Sequence, residues 1–569
     1  MKKIHNYLGL VLCIGALFFS SCETTELDLT ENPNQLRPDQ SSADLFLNSI
    51  QVDFATFAEV MGDNGGELVR IENMNGRSYP NVNAYSPTNL NQEWNIAYQA
   101  DAGEALPTGL EINGILADIR AMAPEAEANE LFHHTAIGQF IEAYTIVTLV
   151  DYFGDIPYSQ AIQANAETPV LNPALDPGSS VYDAALALLD ASIANFNLDP
   201  VTEPENDFFY GGNTGRWIDA ANTLKMKIHL QRRLVDPTAV ASFNAIVASG
   251  DYIQDSAGDL QFQWGTNAVQ PDVRHPKYAN NYIASGGQTY MSNWLMNLMD
   301  TTGDPRIRYY FYRQVNAVPG AEVPADEETI ACSLEPVPQH YTDGGFTFCV
   351  LPNGYWGRDH GQNAGIPPDG FTRTVYGVYP AGGQFDDSSF EGISIGGGGA
   401  GAGITPILMS SWVDFMLAEV AMLGSADAGR PFILNGITQS VTKVAAFGSL
   451  DSGADLSFAP TQGAIDNHLN NIGAAFDAAD DTGKWNILAE QYFISLFGNG
   501  TDGYNFYRRA GFPTTLQPNL EPDPGAFVRS LNYPADFANN NSSVDPKPNL
   551  EVQVFWDNNP AAPTFPIAN

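Results

Sequence analysis

Residues 137–150 constrain the fold more than any other part of this chain. Ile137, Phe140, Ile141 and Tyr144 recur at helical spacing, and from there to Val150 the segment is apolar on all faces. A helix without a polar face has to be enclosed by protein, so the chain must supply other helices to cover it. Gly154 and Pro157 supply its stop. Trp217, Ala221, Leu224 and Ile228 form a second apolar seam, closed by Pro237. Opposite that seam lie Lys225, Lys227, Arg232 and Arg233, which read as a solvated basic face. Two more helices are expected, from about Ser411 to Leu423 and from Trp485 to Phe497 before Gly498. Trp94 and Tyr98, four apart, are assigned to a helix and to the core, and the adjacent His133 and His134 to a helix surface.

Within the late helix, Trp485, Leu488, Ala489 and Tyr492 fit the tetratricopeptide spacing W-x₂-L-G-x₂-Y, with Ala in the Gly place. The expected fold class is therefore mainly α, with tetratricopeptide-like helix pairs stacked as a scaffold. With 569 residues, 44% of them hydrophobic, the chain can bury a large core and wholesale disorder is excluded. Between about 250 and 405 helical periodicity gives way to Gly, Asn, Pro and aromatic residues, including a glycine run from Gly396 to Gly399. Long irregular segments usually carry function, which places the ligand-facing or partner-facing surface mainly in this loop-rich insertion.

At the amino end Lys2 and Lys3 precede an apolar run from Leu8 to Phe19, followed by Ser20, Ser21 and Cys22. Crossing a bilayer takes ~20 apolar residues, so this shorter run is a secretory signal and not a membrane span. The small residues before Cys22 resemble the lipobox of bacterial lipoproteins, although Phe19 stands where Leu is usual. On that resemblance residues 1–21 are the signal peptide, Cys22 is acylated, and the polar, proline-punctuated residues 22–41 are a lipidated tether. Residues 42–569 then form a single domain. Cys13 leaves with the signal, so Cys332 and Cys349 are the thiols left in the body; a disulfide between them is expected in an exported protein, with two buried thiols as the alternative.

Sixty-six acidic against 25 basic residues give a net charge of −41, and loss of Lys2 and Lys3 makes the mature chain two units more negative. Nucleic acid is excluded as a partner, because its binding draws on Lys and Arg neutralising phosphates. Gly392, Ser394 and Gly396 satisfy G-x-S-x-G, but a nucleophile elbow must join a strand to a helix, and this match runs into polyglycine. Gly396, Gly398 and Gly401 fit G-x-G-x-x-G as trivially. No H-E-x-x-H occurs, and Asp63, Asn64 and Glu67 lack the calcium-loop spacing and read as a polar turn. Neither a metal nor a cofactor is expected. Acidic pairs suited to a surface glycoside hydrolase abound, but that chemistry needs a fixed carboxyl separation, so the expectation is a binding protein and not an enzyme.

The chain holds 8 Trp, 24 Tyr and 32 Phe, more than a minimal core needs. A flat ring matches the C–H face of a sugar, while Asn, Gln and Asp satisfy its hydroxyls. Tyr79, Tyr85, Trp264, Tyr282, Tyr355 and Trp356 all fall in irregular segments and are the candidate ligand contacts, with burial in the core as the alternative for each. Arg358 with Arg373 offers a local place for an acidic sugar.

Several stretches, in order, resemble the SusD/RagB family of nutrient-binding outer-membrane lipoproteins, in particular its SusD-like branch. They are Asp151-Tyr-Phe-Gly-Asp-Ile-Pro-Tyr158, Trp217-Ile-Asp-Ala-Ala-Asn-Thr-Leu-Lys225 and Trp412-Val-Asp-Phe-Met-Leu-Ala-Glu-Val420, with Asp414 where such proteins commonly have Glu. Lys484-Trp485, Tyr507-Arg-Arg-Ala-Gly-Phe-Pro513, Val528-Arg-Ser-Leu-Asn-Tyr-Pro534 and Val554-Phe-Trp-Asp557 complete the set. The resemblance implies a helical scaffold carrying a loop-rich ligand face, lipid-anchored on the outer membrane and facing the cell exterior. It implies capture of an oligosaccharide, or in some members a peptide, for a SusC-like TonB-dependent transporter. Glu23, Glu26 and Asp28 look like the export signal that sends such lipoproteins to the cell surface.

Overall fold

The computed structural model describes residues 42–74, 90–99, 111–163, 169–316, 332, 335–362, 369–521 and 524–560; Cys22, Tyr79, Tyr85 and the expected signal and tether lie outside them. The amino-terminal half is a run of helices: α1 (Ala43–Leu68), α2 (Asn91–Ala97), α3 (Ile115–Ala128), α4 (Phe132–Phe153), α5 (Gly178–Phe196), α6 (Thr214–Gln231) and α7 (Ala239–Ser249). The all-apolar segment lies in α4, whose residues are buried without a break from Phe140 to Phe153. It is enclosed by α1, α3, α5 and α6, and each of α4 to α7 packs on the next. Gly154 ends it at φ +78, a conformation that favours residues without a Cβ.

Trp217 of α6 is fully buried among Phe140, Phe196, Phe209 and Tyr210, and its indole N–H donates to Asp207 Oδ2 at 2.9 Å. The opposite side of α6 departs from the expected solvated basic face. Lys227 is buried and paired with Asp502 at 2.5 Å, and Arg233 is paired with the fully buried Glu419 at 2.9 Å. Later helices cover Lys227 and Arg233, which are inter-element ties, whereas Lys225 and Arg232 pair with the exposed Asp190 and Asp183 of α5. His133 and His134 are likewise buried and not on the surface, held by Glu203 at 2.6 Å and Asp44 at 3.0 Å.

Asp63, Asn64 and Glu67 also lie on a helix, α1, where a polar turn was expected. The interspersed glycines admit a crossing chain: the Gly500 amide donates to Gly62 O at 3.0 Å, and a Cβ on Gly65 would stand 2.8 Å from Gly500 O. Backbone approach outweighs helix propensity here.

From Gly250 to Thr405 the regular elements are short: α8 (Pro276–Asn281), α9 (Asn293–Thr302), α10 (Ile307–Tyr310) and α11 (Gln339–Gly344), with β1 (Leu260–Gln263), β2 (Phe311–Tyr312), β3 (Val375–Tyr376) and β4 (Ile404–Leu408). β1 pairs antiparallel with β4, and β2 with β3. The carboxy-terminal half returns to helices α12 (Ser410–Met422), α13 (Arg430–Ala446), α14 (Gln462–Ala478), α15 (Asp481–Ser495), α16 (Thr501–Ala510) and α17 (Ala535–Asn540). α12 packs on α13 and α15, and α13 on α14, as antiparallel helix pairs do in a tetratricopeptide-like scaffold. Leu488, Ala489 and Tyr492 of the repeat-like spacing face the interior, and Trp485 stacks on Phe512 at 5.6 Å. No described helix is long and apolar enough to cross a membrane.

Asp151, at the end of α4, gathers the far ends of the chain. It accepts from Tyr182 Oη, from Asn505 Nδ2 at 2.6 Å and from the Trp556 indole at 3.0 Å. Arg508 lies 3.6 Å from the Tyr504 ring centroid and donates to Arg529 O at 2.6 Å, while Arg529 pairs with Asp557. Four of the stretches that carry the family resemblance, around Asp151, Tyr507, Val528 and Val554, thus meet in one buried polar network. Their chemistry holds the scaffold together and touches no cleft described below.

Candidate functional site

Three of the aromatic candidates are interior residues, which corrects the expectation of ligand contact. The Trp264 indole donates to Thr405 Oγ1 at 2.9 Å across the β1–β4 ladder. Tyr282 stacks on Tyr278 at 4.3 Å, donates to Tyr376 O at 2.7 Å and accepts from the Gln384 amide at 2.8 Å. Trp356 is 2% exposed and packs with Cys332 and Cys349, which are joined as a disulfide with Cα atoms 5.7 Å apart. Rings whose polar atoms and faces are already satisfied inside the protein have none left for a sugar. Arg358 and Arg373 are buried too; they flank the Tyr290 ring at 4.2 and 3.8 Å and share Asp369.

Tyr355 is buried as well, at 4% exposure, but it lines an open cleft of about 660 Å³. The cleft lies between the end of α9 with α10, the segment after β2, the loops at Asn353 and Phe390, and the start of α14. Arg313 follows β2, and its guanidinium sits between the rings of Tyr355 and Phe390, 5.0 Å from each centroid. Asp386 fixes it there, accepting from Nε at 2.6 Å and Nη2 at 3.1 Å. Burial alone would press the Arg313 guanidinium toward neutrality, but the Asp386 carboxylate outweighs it and keeps the group charged. Burial also pushes the Tyr355 phenol up, so the hydroxyl stays neutral.

Arg308 of α10 reaches the same carboxylate loop, with Nη1 donating to Asp386 O at 2.8 Å and Ser388 Oγ at 2.9 Å. Its other face lies 5.5 Å from the Phe458 ring centroid. Phe458 is 45% exposed at the cleft mouth, a large apolar ring left to solvent beside fixed polar groups. Asn353, also in the lining, donates to Asp300 at 3.3 Å. The arrangement offers ring faces at its entrance and a rigid array of donors and acceptors within, which is what a polyhydroxylated ligand requires. Phe390, Phe458, Arg308 and Arg313 were not singled out by sequence reasoning. Phe458, in the polar, proline-flanked segment Ser457-Phe-Ala-Pro460, carried a readable signal but lies outside 250–405.

A family model described as SusD-like, starch-binding associating with outer membrane, matches residues 34–323, just over half of the chain. No curated protein sequence matches it. Among solved structures, a SusD/RagB family protein from Bacteroides thetaiotaomicron is similar at 14% identity and TM-score 0.63, covering 91% of this chain and 99% of that one. A chitin-binding protein is similar at 18% identity and TM-score 0.62, with 92% and 100% covered. A chitin-binding SusD homolog from Flavobacterium johnsoniae follows at 17% identity and TM-score 0.58, with 91% and 98% covered. At these identities the structures establish a shared mainly α fold over nearly the whole chain. Together with the family match, that fold makes the chain a member of the SusD-like family.

Proposed function

We propose that the chain captures an oligosaccharide at the outer membrane in the Phe458–Tyr355 cleft and passes it to a SusC-like TonB-dependent transporter. The observation that carries this reading is the exposed Phe458 ring beside a cleft whose guanidiniums are already locked in place by Asp386. Preorganised donors lose little freedom on binding, and an exposed ring gains most from being covered by the C–H face of a sugar. The family description, starch-binding, and two relatives named as chitin-binding support a glycan over a peptide. Lipid anchoring through Cys22 and a single domain over 42–569 belong to the same proposal; acyl mass on Cys22 of the mature chain is its direct readout.

The cleft is tested by calorimetry of the mature chain with maltohexaose, chitohexaose and an unrelated peptide set. One of the glycans is expected to bind, and Phe458→Ala to weaken it by roughly 1–3 kcal/mol while the unfolding midpoint stays put. Tight peptide binding with no glycan binding, or glycan binding indifferent to Phe458→Ala, overturns the assignment.

A further inference from the structure

A groove of about 460 Å³ that shares no residue with the Phe458 cleft lies on the helical scaffold, bounded by α12, the start of α13 and the segment after α7. Its walls are mostly apolar: Val413 and Leu417 of α12, Pro431 and Phe432 of α13, and the Tyr252 ring. Asp414 of α12 lies among them and is 6% exposed. Its Oδ2 is taken twice, by Asn435 Nδ2 at 2.8 Å and by Gln439 Nε2 at 2.6 Å. Its Oδ1 accepts no hydrogen bond, and unlike the unmet polar atoms of the interior it is not sealed from solvent, so it opens into the groove. Burial and the Asp414 charge push the Tyr252 phenol up, so a neutral hydroxyl stands beside the carboxylate.

Among the described residues no cation pairs with Asp414. The charged side chains on the neighbouring elements are committed elsewhere: Lys443 to Asp259 at 3.0 Å, Arg430 to Asp477 at 2.7 Å, and Arg233 and Arg509 to Glu419. Asp251 and Asp255 flank the wall segment Tyr252–Gln254 and are exposed. Burial and the charges of these two push the carboxyl of Asp219, on α6, up to about 6. Burial likewise pushes the Asp414 carboxyl up to about 6 against the hydrogen bonds of Asn435 and Gln439, the direction of a carboxylate that lacks a counter-charge. A buried carboxylate with one open oxygen, no counter-ion and apolar walls is a receptor for a cation carried on an apolar stem.

We propose that this groove is an interaction site for a partner protein, receiving a lysine side chain from a segment whose neighbouring residues are apolar. The lysine stem covers Val413, Leu417 and Phe432 while the ammonium reaches Asp414 Oδ1. Only one carboxylate oxygen is open, which suits the point charge of an ammonium, whereas the fork of a guanidinium calls for two. The chain's net charge of −41 favours a basic partner over an acidic one at long range. The site stands apart from glycan capture and does not depend on it.

The test is fluorescence anisotropy of the mature chain with three labelled pentapeptide pools, blocked at both ends, that carry Ala, Val, Leu or Phe at the outer positions and Lys, Arg or norleucine at the centre. The Lys pool is expected to bind about ten-fold tighter than the norleucine pool and several-fold tighter than the Arg pool. Asp414→Asn is expected to remove the preference for Lys while the unfolding midpoint holds. Wild type gives a second measure should that variant fold poorly. Its binding of the Lys pool is expected to weaken several-fold from pH 7.5 to pH 5.5, as Asp414 takes up its proton while lysine stays charged. Asp219 titrates in the same range, so Asp219→Asn, expected to keep that pH dependence, tells the two apart. Equal binding of the Lys and norleucine pools, no binding of any pool, a preference for Arg, or a Lys preference that survives Asp414→Asn overturns the proposal. Binding that is flat with pH, or whose pH dependence disappears with Asp219→Asn, overturns it too. So does n-pentylamine binding as tightly as the Lys pool, which would make the groove a site for a free amine and not for a partner's lysine.

Discussion

Trp356→Ala is expected to destabilise the chain by roughly 3–5 kcal/mol, the range for deleting a fully buried large aromatic. The ring packs in a small cluster with the Cys332–Cys349 disulfide, Val315, Phe348 and Val350, apart from the main core. Few neighbours can close over the hole, and the loss should appear first as faster hydrogen exchange in residues 348–358. Trp356→Phe, which keeps a ring in the space, is expected to recover most of it. A variant with an unchanged urea midpoint and no glycan binding would return Trp356 to the role of ligand platform and overturn its assignment to the interior.

Glu419→Gln is expected to be as severe, again about 3–5 kcal/mol, because it strands two buried guanidiniums without a counter-charge. Glu419 on α12 accepts from Arg509 of α16 at 2.8 and 2.6 Å and from Arg233, just beyond α6, at 3.2 and 2.9 Å. Burial opposes ionisation of this carboxyl, yet Arg509 and Arg233 together hold it below the ordinary glutamate range. A folded-state value below the unfolded one stabilises the fold above the unfolded pKa, and this contribution is lost as pH falls through the folded value. The gap between wild type and variant in urea should therefore be flat from pH 8 to pH 5 and shrink only below about 4, near the unfolded glutamate value. A gap that closes near neutrality, or none at all, would show that the triad does not tie these helices.

Helical periodicity placed α4, α6, α12 and α15 within a few residues of their observed ends, because each presents an apolar face at a spacing only a helix can bury. The same reasoning misjudged polar residues on those helices. Lys227, Arg233, His133 and His134 are as hydrophilic as any surface residue in a local window, and what buries them is a partner hundreds or tens of residues away: Asp502, Glu419, Glu203 and Asp44. The aromatic candidates failed for a related reason. An irregular segment was read as an exposed one, but here loops at 264, 282 and 356 pass through the interior with their polar atoms satisfied.

The sequence by itself determined a chain built on buried helices, strongly negative in net charge, and similar to one family of outer-membrane proteins. Those properties are local or additive: hydrophobic period, net charge and short motifs survive without knowledge of what packs on what. Only the tertiary structure decided that the family-like motifs around Asp151, Tyr507, Val528 and Val554 are internal bracing. It alone assembled the Phe458 cleft from segments near 308, 355, 390 and 458. A binding site is a coincidence in space of side chains far apart in the chain, and that coincidence is set by long-range packing, which no local window of sequence contains.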